Sequence, residues 1–426
     1  MIDLKELKTR HDEIAKNISD RNMHVNIDEI IELQDKRSAL MQESEAFRAK
    51  RNENAQKMKT KLDNETRQAL IAEGKQIKEA IAAMEAELNE IEKDYQEKAK
   101  TIPNYYNPKA PVGKEDKDNT AIKFVGEPPK FDFKPLDHVQ LGESLDLIDF
   151  DTATRVSGPK FYYLKNQAVI LQMALERYAM DIVMKHGFTP FITPDIAKEE
   201  ILNGIGFNPR GAESNIYTVE GTGTCLVGTA EITLGGYYAN QILDQSQLPI
   251  KMTGLSHCFR REAGGAGQYS KGLYRVHQFS KLEMFIYCLP EDSDSYHEQL
   301  LAIEEEIFSG LGLAYRIVDT CTGDLGAPAY RKFDIEAWMP GRGDQGEYGE
   351  VTSTSNCTDY QARSLQIRYR DSEGKLQFVH MLNGTAMALS RAMVAVLENY
   401  QNADGSISMP EALVPLTGFT VIPARK

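Results

Sequence analysis

Residues 258–284 read CFRREAGGAGQYSKGLYRVHQFSKLEM. Two adjacent arginines and an acid precede a cluster of glycines, and polar and apolar residues alternate after it. Because glycine lacks a Cβ, Gly264, Gly265 and Gly267 allow the chain to reverse between two strands. The alternation over residues 274–281 then predicts a strand that carries functional side chains on one face.

The charged side chains of this stretch suit a nucleotide ligand. The planar guanidinium of Arg260 can bind a phosphate through two hydrogen bonds at once. Glu262 is an acceptor and can hold the exocyclic amino group of a base. Arginine and glutamate are also common on exposed strands, so an ordinary charged hairpin is the alternative.

The stretch resembles motif 2 of the class II aminoacyl-tRNA synthetases, and it is similar to the form found in the seryl-tRNA synthetase family. The likeness continues in HVQLGESLDLIDFDTATRVSGPKFYYLK at 138–165, GTAEITL at 228–234, EVTSTSN at 350–356 and HMLNGTAMALSRAMVAVLENYQ at 380–401. Together with the amino-terminal arm described below, it covers nearly the whole chain. It implies an α+β fold in which helices flank an antiparallel sheet, preceded by a long antiparallel helical hairpin, the coiled-coil arm.

Length and composition indicate a soluble protein of several domains. A chain of 426 residues suggests two or three domains. Mean hydropathy is −0.44, and no apolar run approaches the ~18 residues that span a bilayer. The first residues are amphipathic and carry both charge signs, unlike a secretory signal. We therefore expect a cytoplasmic protein without a membrane partner, with a processed organellar form as the alternative.

The cysteines agree with a reducing compartment. Cys225, Cys258, Cys288, Cys321 and Cys357 are scattered and form no CxxC pair that would begin a zinc site. We expect them to be reduced, because free cysteine usually behaves as a small buried hydrophobe.

The formal net charge of −14 argues against a protein that coats DNA or RNA indiscriminately. A local basic face on an acidic protein is enough to dock one RNA, so the distribution of charge matters more than its sum.

Residues 28–100 are rich in Ala, Glu, Lys, Gln and Leu, and the pattern breaks near residues 61–66, which predicts a helical hairpin. The second limb has apolar residues at alternating spacings of three and four, typical of a coiled-coil seam. They are Leu70, Ile77, Ile81, Met84, Leu88, Ile91 and Tyr95, with Gly74 in one slot. In the first limb polar residues interrupt the seam; they are Arg37, Ser44, Arg51 and Asn54.

Charge divides the arm into a basic outer half and an acidic root. Residues 36–61 contain eight basic side chains against three acids, and residues 85–97 contain six acids against Lys93. The basic residues are Lys36, Arg37, Arg48, Lys50, Arg51, Lys57, Lys59 and Lys61. The polarity predicts RNA at the tip, and the alternative is a solvated face on a dimerisation hairpin. The resemblance implies that the arm grips the long variable arm of a serine tRNA.

The domain organisation follows from these patterns. We predict a tRNA-binding helical arm over 1–102, a stiff proline-containing linker over 103–113 and a class II catalytic domain over 114–426. Helices are expected at 165–186 and 295–311. The resemblance implies a homodimer built through motif 1, whose proline best matches Pro194. A surface loop is expected at 208–221, with no function that the sequence reveals.

Joining a carboxylic acid to AMP needs no catalytic base, because the carboxylate is already a nucleophile at neutral pH. The resemblance implies that Arg260 bridges the serine carboxylate and the α-phosphate, and that Arg391 meets the γ-phosphate. Glu262 would contact adenine and Phe279 would stack under it. The expected ATP site comprises Arg260, Arg261, Glu262, Val276, Phe279, Glu350, Val351, Thr352, Ser353 and Arg391.

Each of these assignments has a structural alternative. Core packing is the alternative for Phe279, and a buried ion pair is the alternative for Arg391. Glu350 and Ser353 match positions where the family places Mg²⁺ ligands, and hard oxygens suit that ion. Without the resemblance they belong to a polar strand. His277 is expected to be structural rather than catalytic.

The expected serine site comprises Thr229, Ala230, Glu231, Arg260, Glu283 and Thr385. Thr229 and Glu231 would receive the ammonium group, although Thr followed by Glu also favours a helix amino-terminal cap. Glu283 and Thr385 would bracket the hydroxyl. A site that reads a hydroxyl rejects its deoxy analogue by ~10⁴ to 10⁵, so alanine should be excluded.

The resemblance implies an ATP-dependent serine–tRNA ligase. Its partners would be L-serine, ATP with Mg²⁺, tRNA(Ser) and, where the cell contains it, tRNA(Sec). Two alternatives stay open: a paralogue that loads another acceptor, and a coiled-coil scaffold or RNA-binding protein with a dead synthetase domain. Such a relic would have lost at least one of Arg260, Glu283, Glu350 and Arg391, and all four are present.

Overall fold

The computed structural model describes residues 1–207, 215–262 and 272–425. These residues form two compact units, Met1–Pro103 (unit 1) and Asn104–Lys426 (unit 2). The glycines of the predicted turn, Gly264, Gly265 and Gly267, lie outside the described residues, as does part of the predicted surface loop, residues 208–214.

Unit 1 contains the predicted helical hairpin, which is confirmed. Its helices are α1 (His11–Asp20), α2 (Ile27–Lys57) and α3 (Asn64–Ala99). Asn26 and Asp63 cap the amino termini of α2 and α3. Each side chain accepts a hydrogen bond from the backbone N–H of the third residue of its helix, Glu29 in α2 and Thr66 in α3. At about 1.5 Å per residue, these helices extend roughly 45 and 55 Å.

The seam between α2 and α3 mixes apolar and polar contacts. Ile30, Ile77, Ile81 and Tyr95 are buried. Asn54 is buried as well, and its Nδ2 donates to the Leu70 carbonyl at 3.0 Å and to Glu73 Oε2 at 2.9 Å. The predicted interruption at Asn54 is therefore a satisfied polar contact between the two helices.

Unit 2 alternates short helices with strands. The helices are α4 (His138–Ser144), α5 (Phe150–Ser157), α6 (Gln167–Lys185), α7 (Glu199–Ile205), α8 (Ala230–Gly235), α9 (Ser293–Gly310), α10 (Tyr360–Leu365), α11 (Leu389–Asn399) and α12 (Val414–Thr417). The long strands are β1 (Thr120–Val125), β4 (Thr189–Ile192), β9 (Ile250–Phe259), β10 (Gln278–Cys288), β11 (Tyr315–Asp319), β12 (Arg331–Met339), β13 (Glu347–Asn356) and β16 (His380–Ala388). The short strands are β2 (Ile148–Asp149), β3 (Tyr163–Leu164), β5 (Ile196–Lys198), β6 (Thr218–Val219), β7 (Thr224–Leu226), β8 (Ile242–Asp244), β14 (Arg368–Arg370), β15 (Leu376–Phe378), β17 (Ile407–Ser408) and β18 (Val421–Ile422).

The long strands form one sheet, and within the described residues it has eight strands in the order β1-β11-β12-β13-β16-β10-β9-β4. Neighbours pair antiparallel except β4 and β9, which pair in parallel. The predicted α+β class, with helices flanking an antiparallel sheet, is confirmed.

The two faces of β10 pack into two different hydrophobic cores. Leu282, Met284 and Ile286 pack with α6, α9 and α11 in the larger hydrophobic core. Phe285 and Tyr287 face the opposite side and join a second core with α7, α8 and α10. Because side chains alternate along a strand, Lys281 and Glu283 share the face of Phe285 and lie next to this second core.

Two β-bulges adjust the side-chain alternation near the centre of the sheet. On β16, Ala386 is the extra residue between the pairs Leu282–Met387 and Glu283–Thr385. On β13, Val351 is the extra residue between the pairs Ile335–Thr352 and Glu336–Glu350. A bulge places two residues opposite one and shifts the alternation of all residues beyond it.

The structure differs from the sequence prediction at the start of β10. The strand predicted to start at Tyr274 starts at Gln278, so the prediction is wrong for residues 274–277, which form a bend. Asn104, within the predicted linker, is hydrogen bonded to the carbonyls of Ala327, Pro328 and Cys357, and it therefore packs as part of unit 2. The three-part division of the chain stays a prediction.

No helix in the described part of the chain is long and apolar enough to cross a membrane.

Candidate active site

An open cavity lies on the face of the sheet that carries Lys281 and Glu283. Its empty space, counted to the open mouth, is about 460 Å³. The cavity is lined by Arg260, Glu262, Tyr274, Arg275, Val276, Phe279, Lys281, Glu350, Val351, Thr352, Thr385, Ala388, Ser390 and Arg391. Strands β9, β10, β13 and β16 and helix α11 therefore converge here, although their residues are far apart in sequence.

Arg260 follows the last residue of β9 and is fixed by both its backbone and its side chain. Its N–H donates to the His277 carbonyl at 2.9 Å, and its Nε donates to the Gly228 carbonyl at 3.2 Å. The guanidinium carbon lies 5.2 Å from the ring centre of Phe279. His277 Nδ1 contacts the Arg260 carbonyl at 2.9 Å, which agrees with the structural role predicted for this histidine.

Arg391 and Glu350 form an ion pair in the cavity, with 3.0 Å between NH1 and Oε1. The Arg391 guanidinium also lies 4.7 Å from the ring centre of Tyr274, whose hydroxyl donates to the Glu350 carbonyl at 3.0 Å. Burial acts to raise the pKa of Glu350, but the positive charges of Arg391, Lys332 and Arg260 outweigh it and hold that pKa below its usual value. Glu350 is therefore ionised.

A group of polar residues, which we call the carboxylate pocket, lies beside the cavity: Thr229, Glu231, Lys281, Glu283 and Thr385. Glu283 Oε2 is 2.5 Å from Lys281 Nζ, and it accepts from Thr385 Oγ1 at 3.3 Å and Thr229 Oγ1 at 3.4 Å. Thr229 also caps α8 by accepting from the Glu231 N–H at 3.1 Å. The predicted alternative of a helix cap is thus confirmed, and the same hydroxyl reaches Glu283.

Glu231 lies in the first turn of α8, with Ala230 buried before it. Its Oε1 accepts from Gln361 Nε2 at 2.8 Å and from Asn383 Nδ2 at 3.1 Å. Burial, followed by the negative charge of Glu283, raises the pKa of Glu231 to about 7. The pocket contains two carboxyl groups, Glu231 and Glu283, against one lysine, Lys281. It therefore suits a ligand that brings a cation.

The bulge at Val351 places Glu350 and Ser353 on one face of β13. In a regular strand a spacing of three would put them on opposite faces. Their partners on β12, Glu336 and Asp334, alternate normally. The chemistry fits a hard divalent cation, because an ionised carboxylate and a hydroxyl provide oxygen donors. Among the described residues no cluster of three or more His, Cys, Asp or Glu forms a metal site by itself, so such an ion would need oxygens from a ligand.

Val276 and Phe279 form the apolar part of the cavity. Val276 is buried, and the half-buried Phe279 ring lies in the wall beneath Arg260. Glu262 accepts a long hydrogen bond from Arg275 NH1 at 3.4 Å. A flat heterocycle with an amino group matches this combination of an aromatic face and a carboxylate acceptor.

Most of the predicted site residues converge in this region. Of the residues expected at the ATP site, Arg261 and Ser353 do not line the cavity. Ser353 lies on β13, whereas Arg261 is exposed and its N–H donates to the Asn215 carbonyl at 2.9 Å. The hydroxyl of Thr352 donates to the Thr385 carbonyl, so it connects two strands within the fold.

Several residues of the site were missed by the sequence interpretation. Lys281 had a usable signal, since it lies two residues before Glu283 on the same strand face. Arg275 and Tyr274 were placed on a strand that begins only at Gln278. The residues that hold Glu231, which are Gln361 and Asn383, carried no local signal.

Comparison with known proteins first defines the class. Residues 217–400 match the model of the tRNA synthetase class II core domain (G, H, P, S and T), and residues 1–106 match the seryl-tRNA synthetase N-terminal domain. Unit 2 therefore has the core of a class II aminoacyl-tRNA synthetase.

Similarity over the full length identifies the family. The chain is 64% identical to the serine–tRNA ligase of Treponema denticola over 98% of this chain and 99% of that protein. It is 53% identical to the serine–tRNA ligase of Borrelia garinii subsp. bavariensis over 100% of both. The crystal structure of seryl-tRNA synthetase from Pyrococcus horikoshii complexed with ATP is similar with a TM-score of 0.90, at 39% identity and 100% coverage of both chains. The chain belongs to the seryl-tRNA synthetase family.

Proposed function

We infer that this protein activates L-serine with ATP to form seryl-adenylate and pyrophosphate, and then transfers the seryl group to the 3′ end of tRNA(Ser). It is an ATP-dependent, AMP-forming aminoacyl-tRNA ligase. The observation that carries this conclusion is the position of Arg260. It connects the cation-rich cavity around Arg391 with the carboxylate pocket through its bond to Gly228, the residue before Thr229.

The first reaction step needs alignment and charge stabilisation. The serine carboxylate attacks the α-phosphorus and pyrophosphate leaves, so negative charge develops on the phosphoryl oxygens. We propose that Arg260 binds both the carboxylate and the α-phosphate. Because its side chain is already held by Gly228 and the Phe279 ring, little reorganisation is needed when the substrates arrive.

The carboxylate pocket is proposed to select serine. Thr229, Ala230 and Glu231 receive the ammonium group, and both described bonds of Glu231 use Oε1, which leaves Oε2 for this contact. Glu283 and Thr385 bind the hydroxyl. Alanine lacks that donor and leaves buried polar groups poorly satisfied.

The cavity is proposed to bind ATP. Phe279 stacks on adenine, Val276 packs at its edge and Glu262 accepts from its amino group. Arg391 binds the γ-phosphate, and the strand residues Glu350, Val351, Thr352 and Ser353 contact the nucleotide. Arg261 was also expected in this set. Because it is exposed, we propose that it contacts the nucleotide only at the periphery of the site.

Glu350 and Ser353 are the residues that would hold Mg²⁺ when ATP is bound. The ion would neutralise phosphate charge and help to orient the triphosphate. Glu350 is suited to this task because neighbouring cations keep it ionised.

Unit 1 is proposed to be the tRNA-binding arm. In the basic outer half of α2, Lys50, Arg51 and Lys57 are exposed, as are Lys59 and Lys61 in the connection to α3. A phosphate backbone is held by such side chains. The similarity of residues 1–106 to the family's amino-terminal domain supports tRNA(Ser) as the partner, and tRNA(Sec) is proposed as a second substrate.

We also propose a homodimer. Helix α6 exposes Val169, Ile170 and Met173, and Ile192 on the edge strand β4 is 88% exposed. Ile192 lies two residues before Pro194, which was assigned to motif 1. A second copy would cover this apolar surface, and light scattering of the purified protein should give twice the mass of one chain.

A cytoplasmic location is proposed, without membrane or DNA partners. All five cysteines lie in the described residues, where they are buried and are not joined in disulfides. This state fits a reducing compartment.

The test of the function is serine-dependent exchange of pyrophosphate into ATP, followed by charging of tRNA(Ser). Exchange and charging together are expected. Exchange without charging would favour a paralogue that loads another acceptor. Absence of exchange with correctly folded protein would refute the enzyme assignment.

A further inference from the structure

Lys281 and Glu283 form a buried ion pair on the site-facing side of β10. The relative exposures are 6% for Lys281 and 1% for Glu283. Lys281 Nζ is 2.5 Å from Glu283 Oε2 and donates to Thr385 Oγ1 at 3.3 Å. Since Thr385 Oγ1 also donates to Glu283 Oε2 at 3.3 Å, the three side chains form a closed ring of contacts.

We propose that Lys281 is the positioning residue that sets amino-acid selectivity, because its contacts fix the Glu283 carboxylate and the Thr385 hydroxyl where they meet the substrate side chain. An ionised carboxylate has no proton to donate, so it matches a substrate whose side chain is a donor. A hydroxyl meets this requirement and a methyl group does not. The inference rests on the proposed role of Glu283 in binding the serine hydroxyl.

The surroundings of Glu283 explain why it needs a cation. Glu231 on α8 and Glu304 on α9 both interact unfavourably with its charge. Cys258 on β9 and Arg260 directly after it belong to the same group of interacting side chains. Lys281 is the cation in direct contact with Glu283 among the described residues.

Removal of the lysine would leave Glu283 buried beside two carboxylates without its contacting cation. Lys281 also donates to Thr385 Oγ1, so its loss would release both residues of the hydroxyl-binding pair from their fixed positions. The acceptor that the serine hydroxyl needs would then be held less firmly, so the pocket would discriminate less between alanine and serine.

A competing role for Lys281 is direct contact with ATP, since it lines the cavity. A second alternative is packing alone, but an apolar side chain would pack at lower cost, because a buried ammonium is costly unless it is paired. These roles predict different kinetics, so they can be separated by experiment.

The experiment compares wild type and Lys281→Met by pyrophosphate exchange with serine and with alanine between pH 6 and pH 9. Wild type should show serine-dependent exchange; if it does not, the proposed function fails, and not this inference alone. For Lys281→Met we expect the serine-to-alanine ratio of kcat/KM to fall by at least about tenfold at pH 7, which is ~1.4 kcal/mol. The KM for ATP should change by less than about threefold.

Unchanged selectivity across the pH range would overturn the proposal. A raised KM for ATP with intact serine selectivity would also overturn it and assign Lys281 to the nucleotide. Glu283→Gln provides a second test that does not depend on the folding of Lys281→Met. The carboxamide is permanently neutral, so it should lose alanine discrimination at every pH.

The double variant Lys281→Met/Glu283→Gln completes the cycle. If Lys281 acts through Glu283, the lysine replacement should cost little further selectivity once Glu283 is neutral. Independent, additive losses from the two replacements would contradict the proposal.

Discussion

The arm and the active site use charge in different ways. In the arm, Arg48 and Glu85 pair at 2.8 Å while each side chain is about half exposed. In the site, Lys281 pairs with Glu283 and Arg391 pairs with Glu350 with little exposure of either cation. Water and salt screen the exposed pair, whereas the buried pairs keep most of their interaction.

The contrast between exposed and buried pairs predicts which substitutions the protein should tolerate. Exposed pairs contribute about 0 to 1 kcal/mol each, so no single arm charge is decisive. Breaking a buried pair leaves an uncompensated charge and costs about 3 to 5 kcal/mol. We therefore expect large, salt-insensitive effects in the site and small, cumulative, salt-sensitive effects in the arm.

The largest effect is expected for Arg260→Ala. Loss of the guanidinium removes the charge that stabilises the transferring phosphoryl group, and the kcat for exchange should fall by about 10³-fold. Arg260→Lys retains the charge without the planar fork and should lose about 10²-fold. Single-turnover measurement of adenylate formation distinguishes this loss from slow product release.

Arg261→Ala is the matched control for Arg260→Ala. Arg261 is adjacent in sequence, but it is exposed and does not line the cavity. We expect a change of less than about tenfold. Equal losses for the two variants would contradict the expected difference between an arginine that lines the cavity and one that is exposed.

The next effect concerns pH and Glu231. Its pKa is raised to about 7, so the free protein carries a protonated Glu231 below that pH. The serine ammonium prefers the carboxylate, so the KM for serine should rise as pH falls, by about fivefold between pH 7 and pH 6. Steady-state exchange across this range measures the effect.

Glu231→Gln should remove that pH dependence and raise the KM for serine about 10²-fold, because a neutral amide replaces the charged partner. The KM for ATP should stay within about threefold. A wild-type serine KM that is independent of pH would show that Glu231 does not bind the ammonium group.

Arm charges should have smaller effects. Reversal of two exposed cations, Lys57→Glu with Lys59→Glu, should weaken tRNA(Ser) by about tenfold and leave exchange unchanged. The loss should shrink at high salt because the interaction is screened. The control reverses two exposed acids at the root, Glu87→Lys with Glu90→Lys, and should not weaken tRNA; equal loss in both would refute RNA binding by the basic half.

The smallest effect is expected for Asn54→Ala. The variant loses the contacts to the Leu70 carbonyl and Glu73, and the free energy of local unfolding of the arm should fall by about 1 kcal/mol. Hydrogen exchange of the α2 and α3 amides measures this change. Serine activation should be unaffected, and a loss of exchange activity would show that the arm and the site are not separable in this way.

Local sequence pattern predicted the arm well because its determinants are local. Apolar spacing of three and four, together with the caps Asn26 and Asp63, defines α2 and α3 without reference to the rest of the chain. The exception is Asn54, which was interpreted as an interruption. Its partner carbonyl lies on the other helix, and a seam pattern does not contain that information.

The candidate site was predictable only in part. The resemblance identified residues such as Arg260 and Glu283, which the structure brings to one region. It did not identify Gln361 and Asn383, which hold Glu231 from distant elements. The start of β10 was misplaced because alternation continued through Tyr274, whereas the chain there bends around Arg391.

Because of the bulges at Val351 and Ala386, the number of residues in β13 and β16 determines which side chains face the site. Deletion of Val351 would remove no reactive group, yet it would restore regular pairing and turn either Glu350 or Ser353 to the opposite face of the sheet. Substitutions in these strands alter one side chain, whereas a single-residue gap alters the direction of all those beyond it. Evolution of this enzyme should therefore admit insertions and deletions in its loops and exclude them at these two positions.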